Sequence, residues 1–208
     1  GDDALAALRH MRRRDRGVIV QVGSSLAYRG IPLQAAYCGA KHAARGFTES
    51  VVTELLREGS GVRITSVHLP AVNTPQFDWA RTHRTKAPRP VAPVYATRTA
   101  ARAIVHAARR PAREYWLGAP TPLLILATSL FPGLLDRWLA ATAVDGQDRP
   151  NSVAEDRADN LFAPARGHRT DGAFGGEAKP RALLVSAPAA RIGALAAGSL
   201  AVGLVGAA

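Results

Sequence analysis

The first apolar run of the chain is Val18-Ile-Val-Gln-Val22, bounded by Gly17 and Gly23. Its length and β-branched content predict a buried parallel strand. Ahead of it, Leu5, Leu8 and Met11 recur at helical spacing, so residues 4 to 11 read as a helix. The Arg12-Arg13-Arg14-Asp15-Arg16 cluster then suits that helix's C-terminus, where cations complement the dipole. After the strand come Ser24 and Ser25, a loop with Gly30 and Pro32, and one long helical pattern from Gln34 to about Arg57. Ala40, Ala44, Phe47, Val51 and Leu55 form its inward face. Gly59-Ser60-Gly61 ends it, and Val62 to Leu69 reads as the next parallel strand, with His68 a satisfied core histidine. Thr97 to Arg110 repeats the helical period with Ala100, Ile104 and Ala107/Ala108 inward, and Pro111 stops it. Glu114-Tyr-Trp-Leu117 reads as the final strand.

Alternating strands and helices of this kind predict an open α/β sheet, in which ligands bind beyond the carboxyl ends of the strands. Ser24 and Ser25 stand at such an end. Tyr37 and Lys41 are four apart on the following helix and share a face. A serine, a tyrosine and a lysine converging on one ligand suit proton transfer to or from a substrate oxygen. A free tyrosine, with a pKa of about 10, is a poor base near neutrality. A nearby ammonium favours the phenolate, and a value closer to the working pH makes a better acid or base. Cys38, beside the tyrosine, reads as a half-buried structural thiol.

The stretch from Gly17 to Lys41 resembles the catalytic segment of the short-chain dehydrogenase/reductase family: a serine, then Tyr-x-x-x-Lys thirteen positions later. Counting back thirteen from Tyr37 gives Ser24 as the matching serine. The resemblance implies the C-terminal half of a doubly wound parallel sheet, Rossmann-like. It implies NAD or NADP as cofactor and a small alcohol or carbonyl as substrate. In that scheme Tyr37 is the general acid or base, Ser24 positions the substrate oxygen, and Lys41 tunes the tyrosine and holds the nicotinamide ribose. Leu69-Pro-Ala-Val-Asn-Thr-Pro-Gln76 occupies the place of the family's Pro-Gly-x-Val-x-Thr turn. Val72 and Thr74 match it as binders of the nicotinamide carboxamide, whereas Leu69 and Pro70 replace the Pro-Gly pair. The family also carries a glycine-rich phosphate turn and a catalytic asparagine upstream, and neither stands in place here. Gly172 to Gly176 is glycine-rich, but no strand precedes it, so it reads as loop.

Gly1 precedes a helix rather than an initiating methionine, so the sequence reads as a piece of a longer chain. Residues 1–118 read as the catalytic half, and 119–144 as a helical extension broken at Pro132-Gly133. Residues 145–181, rich in Asp, Arg, Gly and Pro, read as a disordered linker, and 182–208 as an apolar tail. Phe77 to Tyr95 matches the family's variable substrate loop. The charge-free run 192–208 would span roughly 25 Å as a helix, against about 30 Å of hydrocarbon. A weak membrane contact is the expectation there, on a chain otherwise cytoplasmic: its one cysteine permits no internal disulfide. The family also implies homo-oligomers through the helix 34–57.

The formal charge of +11 and pI of about 11.1 raise nucleic acid as a partner. All but Lys41, Lys86 and Lys179 of the 27 basic residues are arginines spread along the chain, without a nucleic-acid motif or interleaved aromatics. Nucleic acid is therefore not expected. Two rival readings stand beside the reductase: an inactive remnant or interaction module, and an epimerase of the related extended family, which shares Tyr-x-x-x-Lys.

Overall fold

The computed structural model describes residues 2–153, 157–165, 167 and 169–187. Helix α1 (Asp2–Arg12) leads into β1 (Gly17–Ser24), a 3-10 turn (Ser25–Ala27), α2 (Ala35–Arg57) and β2 (Val62–Leu69). A short helix α3 (Gln76–Trp79) and strand β3 (Lys86–Pro88) precede α4 (Thr97–Arg109) and β4 (Glu114–Leu117). Helices α5 (Pro120–Leu130) and α6 (Pro132–Thr142), strand β5 (Asp148–Ser152) and strand β6 (Leu184–Ser186) follow. The main sheet runs β1-β2-β4-β6, its first three strands parallel and β6 antiparallel to β4.

Strand alternation divides the core into two faces. Ile19 of β1 and Val62 and Ile64 of β2 meet Leu8 of α1 and Val51 and Leu55 of α2. Val20 of β1, Val67 of β2 and Tyr115 and Leu117 of β4 meet Ala100, Ala103 and Ala107 of α4 on the other. Helices thus cover both faces, the doubly wound arrangement expected from the sequence. Towards the carboxyl ends the α2 face turns polar: Ser66, His68, Glu114 and Thr48 are all buried.

Four details differ from the sequence reading. On α2, Cys38, Thr48, Val51 and Leu55 are buried whereas Ala40 and Ala44 are exposed. The first turns of the helix lie over the polar strand ends, so the buried face follows Cys38 there rather than the alanines; Cys38 is fully buried, not half-buried. On α4, Ala108 is exposed and Ala103 takes its place. Val22 is 47% exposed because β1 has no further strand on its outer side among the described residues. Glu114–Leu117 is not the last strand, since β6 pairs with it and gives partners to its outer edge.

In place of a structureless linker, parts of 145–181 fold back on the domain. Strand β5 pairs antiparallel with β3. Arg149 and Arg169 both reach the Asp78 carboxylate, at 3.0 and 2.5 Å, and Arg157 donates to the carbonyls of Phe77, Asp78 and Ala80. Lys179 N–H donates to the Val94 carbonyl and Ala96 N–H to the Lys179 carbonyl. These contacts hold the 76–95 loop, which the sequence leaves as a long polar stretch. Among the described residues no helix is long and apolar enough to cross a membrane, and the run 192–208 lies outside them.

Candidate active site

β1 ends at Ser24, opposite Leu69 of β2, so the loops after both strands leave from the same edge. Ser24 is extended (φ −144°, ψ 154°) and caps the 3-10 turn, its Oγ accepting from Leu26 N–H at 3.1 Å. The hydroxyl proton of Ser24 is left to donate elsewhere. On α2, Tyr37 is 40% exposed and Lys41 stands one turn later. Lys41 Nζ donates to the Val22 carbonyl at 3.2 Å and lies 5.6 Å from the centre of the Tyr37 ring. Lys41 is thereby tied to the end of β1, with the half-exposed tyrosine beside it.

The turn after β2 runs alongside Tyr95. Tyr95 N–H donates to the Ala71 carbonyl and Asn73 N–H to the Tyr95 carbonyl, at 2.9 and 2.8 Å. In such a bridge the intervening residue turns its own amide to the opposite side. Val72 N–H is therefore directed away from Tyr95, as a carboxamide-binding backbone group would need to be. Thr74 N–H closes a tight turn onto the Val72 carbonyl at 2.8 Å. The replacement of Pro-Gly by Leu69-Pro70 leaves this turn formed. The residues present fit a nicotinamide carboxamide.

Beneath the site lies a polar cluster that the sequence did not single out. The Tyr28 hydroxyl donates to the Glu114 carboxylate, and Trp116 Nε1 donates to the same oxygen at 3.3 Å. The Arg45 guanidinium lies 4.0 Å from the centre of the Tyr28 ring. Burial, followed by the bond to Glu114, pushes the Tyr28 hydroxyl well above its ordinary pKa. His68 Nδ1 lies 3.1 Å from the Ser24 carbonyl, whereas Nε2 is buried without a hydrogen-bond partner among the described residues. The expectation of a satisfied histidine holds for one ring nitrogen only. Burial lowers the His68 pKa, and the nearby Glu114 carboxylate opposes that shift.

The loop between Ser24 and Tyr37 is braced from the extension. Gln147 Nε2 donates to the Pro32 carbonyl at 3.1 Å, and Gln34 Nε2 donates to Gln147 Oε1 at 2.6 Å. Arg29 pairs with Asp136 of α6. Among the described residues no group of His, Cys, Asp and Glu could hold a metal ion.

Residues 4–85, which contain Ser24, Tyr37, Lys41, Val72 and Thr74, match the short chain dehydrogenase family model. The chain is 32% identical over 157 residues to the uncharacterized oxidoreductase YxnA of Bacillus subtilis (strain 168), covering 74% of this chain and 44% of that protein. It is 44% identical over 62 residues to the inactive 2-(S)-hydroxypropyl-CoM dehydrogenase 2 of Xanthobacter autotrophicus, covering 30% of this chain and 26% of the relative. A crystal structure of a short chain dehydrogenase from Burkholderia cenocepacia J2315 in complex with NADP superposes with a TM-score of 0.50 at 26% identity. That match covers 62% of this chain and 49% of the other. The chain thus spans less than half the length of these relatives.

Proposed function

Because the chain belongs to the short-chain dehydrogenase/reductase family, we propose that it carries the proton-transfer half of an enzyme moving a hydride between NAD or NADP and an alcohol or carbonyl. The observation that carries this reading is the grouping at the end of β1: Ser24 at its last residue, and Lys41 bonded to its Val22 carbonyl beside the Tyr37 ring. Tyr37 gives its hydroxyl proton to the substrate oxygen in reduction and takes it back in oxidation. Ser24 donates its remaining O–H to the same oxygen and so sets the distance. The Lys41 ammonium offsets negative charge on the tyrosine oxygen, and its further N–H groups reach ribose hydroxyls. Val72 N–H and the Thr74 hydroxyl hold the carboxamide. When bound, the nicotinamide supplies or accepts the hydride.

In this reading residues 1–118 are the catalytic half and 119–144 a helical extension. The NADP in the Burkholderia neighbour supports a nicotinamide cofactor. Ala36, Gly39, Ala40 and Ala43 are exposed along α2 and give a small-residue stripe for pairing with a second copy. The rival reading, an inactive remnant or interaction module, has in its favour that the Xanthobacter relative is named an inactive dehydrogenase. Turnover separates them. The full-length protein is assayed with NADH and NADPH against small ketones, following nicotinamide absorbance. Tyr37→Phe is expected to lower kcat by about 10²–10⁴-fold. Failure to bind either cofactor, or unchanged turnover in Tyr37→Phe, overturns the proposal.

A further inference from the structure

Behind Ser24, on the sheet face covered by α2, His68 is 2% exposed and Ser24 is 7% exposed. Their contact is a hydrogen bond between two buried groups: His68 Nδ1 to the Ser24 carbonyl, 3.1 Å. We propose that His68 is a positioning residue, its Nδ1–H holding the Ser24 main-chain carbonyl and thereby aiming the Ser24 hydroxyl, an inference that rests on the reading of Ser24 as a catalytic group.

Three observations carry it. A carbonyl only accepts, so the bond requires the proton on Nδ1. Among the described residues Nε2 has no hydrogen-bond partner, so no second hydrogen bond from them competes for the ring's orientation. The ring is instead held edge-on by Tyr28, with centroids 5.0 Å apart and planes at 70°. The chain is also fitted to the ring. A Cβ at Gly23 would stand 2.6 Å from His68 Nδ1, so the strand approaches the imidazole as closely as a glycine allows. Finally, Ser24 is pinned twice, at its carbonyl by His68 and at Oγ by Leu26 N–H. With both fixed, the Ser24 O–H remains to meet a substrate oxygen.

The groups facing the ring are the Glu114 carboxylate from β4, the Arg45 guanidinium and Lys41 ammonium from α2, and the Tyr28 ring. Burial keeps the imidazole neutral among them, which is the form with a single N–H to give.

The test uses the full-length protein with His68→Leu, which has no donor, and His68→Asn, whose amide N–H lies near the place of Nδ1–H. Two readouts are followed: the carbonyl ¹³C shift of labelled Ser24, and kcat against KM. His68→Leu is expected to move the Ser24 carbonyl signal and lower kcat by about tenfold or more, a loss of alignment, with KM for the nicotinamide cofactor unchanged. His68→Asn is expected to restore most of both. If His68→Leu does not fold, His68→Gln replaces it, because its nitrogen reaches towards Nε2 rather than Nδ1. A Ser24 signal and kcat unmoved by loss of the donor overturn the proposal, as does an Asn variant no better than Leu or Gln. Absence of turnover in the wild type overturns the catalytic reading instead, and the Ser24 signal still decides whether His68 holds that carbonyl.

Discussion

The side-chain oxygen of Asn73 accepts a hydrogen bond from the main-chain N–H of Phe174 at 2.9 Å, and both residues are buried. Gly172 N–H donates to the Asn73 carbonyl at 3.0 Å, so the glycine-rich segment is joined to the Val72–Thr74 turn at two points. A Cβ at Gly172 would run into the Thr74 carbonyl, which explains a glycine there. With Tyr95 on one side and Gly172 to Phe174 on the other, the turn proposed to hold the carboxamide is clamped between distant parts of the chain.

Asn73→Ala removes the acceptor and leaves the buried Phe174 N–H without it. The expected cost is about 1–3 kcal/mol, the usual penalty for an unsatisfied buried donor. Urea denaturation measures it. An unchanged midpoint shows that the clamp does not contribute to stability.

Phe174 stands edge-on to Phe77 with ring centroids 6.0 Å apart, and the Arg149 guanidinium lies 4.3 Å from its centre. Truncation to alanine is expected to cost about 3–5 kcal/mol. It should also release the segment bearing Arg149, Arg157 and Arg169, so that trypsin cuts there faster than in the wild type. Equal cleavage rates mean that the arginine contacts with the 76–80 stretch suffice without the phenylalanine.

Local periodicity carried most of the sheet. β1, β2, α2, α4 and β4 lie within a residue or two of where the pattern of apolar positions puts them, because each is set by neighbours in sequence. The Ser24, Tyr37, Lys41 spacing was legible for the same reason. What escaped was non-local. The glycines of 172–176 read as loop, and nothing in them indicates Asn73. β6 has the composition of a generic apolar tail, and only the unfilled edge of β4 gives it a place. The inward face of α2 was misjudged at Ala40 and Ala44 because the strand ends beneath are polar, so the helix buries Cys38 and Thr48 there. His68 offered a partial signal, a histidine near a strand end. Its partner is a carbonyl, and every residue has one of those.

Tyr28 gives a second route to the polar cluster. Its hydroxyl donates to Glu114, and burial with that bond favours the protonated form. In an alkaline titration of tyrosine absorbance, Tyr28 should ionise only when the protein unfolds. Because the unfolded tyrosine loses its proton near pH 10 while the folded one keeps it, stability is expected to fall as pH rises past that value. Tyr28→Phe should remove this alkaline loss. At neutral pH it should cost about 1.5–3 kcal/mol, the range for a hydrogen bond to a charged group. A wild-type Tyr28 that loses its proton near pH 10 while the protein is still folded contradicts the burial argument.

The acid side of the stability profile tests His68. Its folded pKa lies below the ordinary value near 6.5, since burial disfavours the imidazolium. As pH falls below about 6.5, the unfolded chain takes up a proton that the folded chain refuses, so stability drops. The loss continues until the pH reaches the folded pKa, with a slope of at most about 1.4 kcal/mol per pH unit for one proton. Asp15, Asp148, Asp159 and Asp171 are held below their ordinary pKa by hydrogen bonds to Ser60, Arg84, Arg81 and Thr97 respectively. Their contributions are present above about pH 4 and fade only at lower pH, so the two windows separate. Urea midpoints measured from pH 7 to pH 5 should decline in the wild type. They should stay nearly level in His68→Leu, which has nothing to protonate at that position. A decline of equal slope in both proteins assigns the effect to other histidines and shows that His68 titrates alike in the folded and unfolded states.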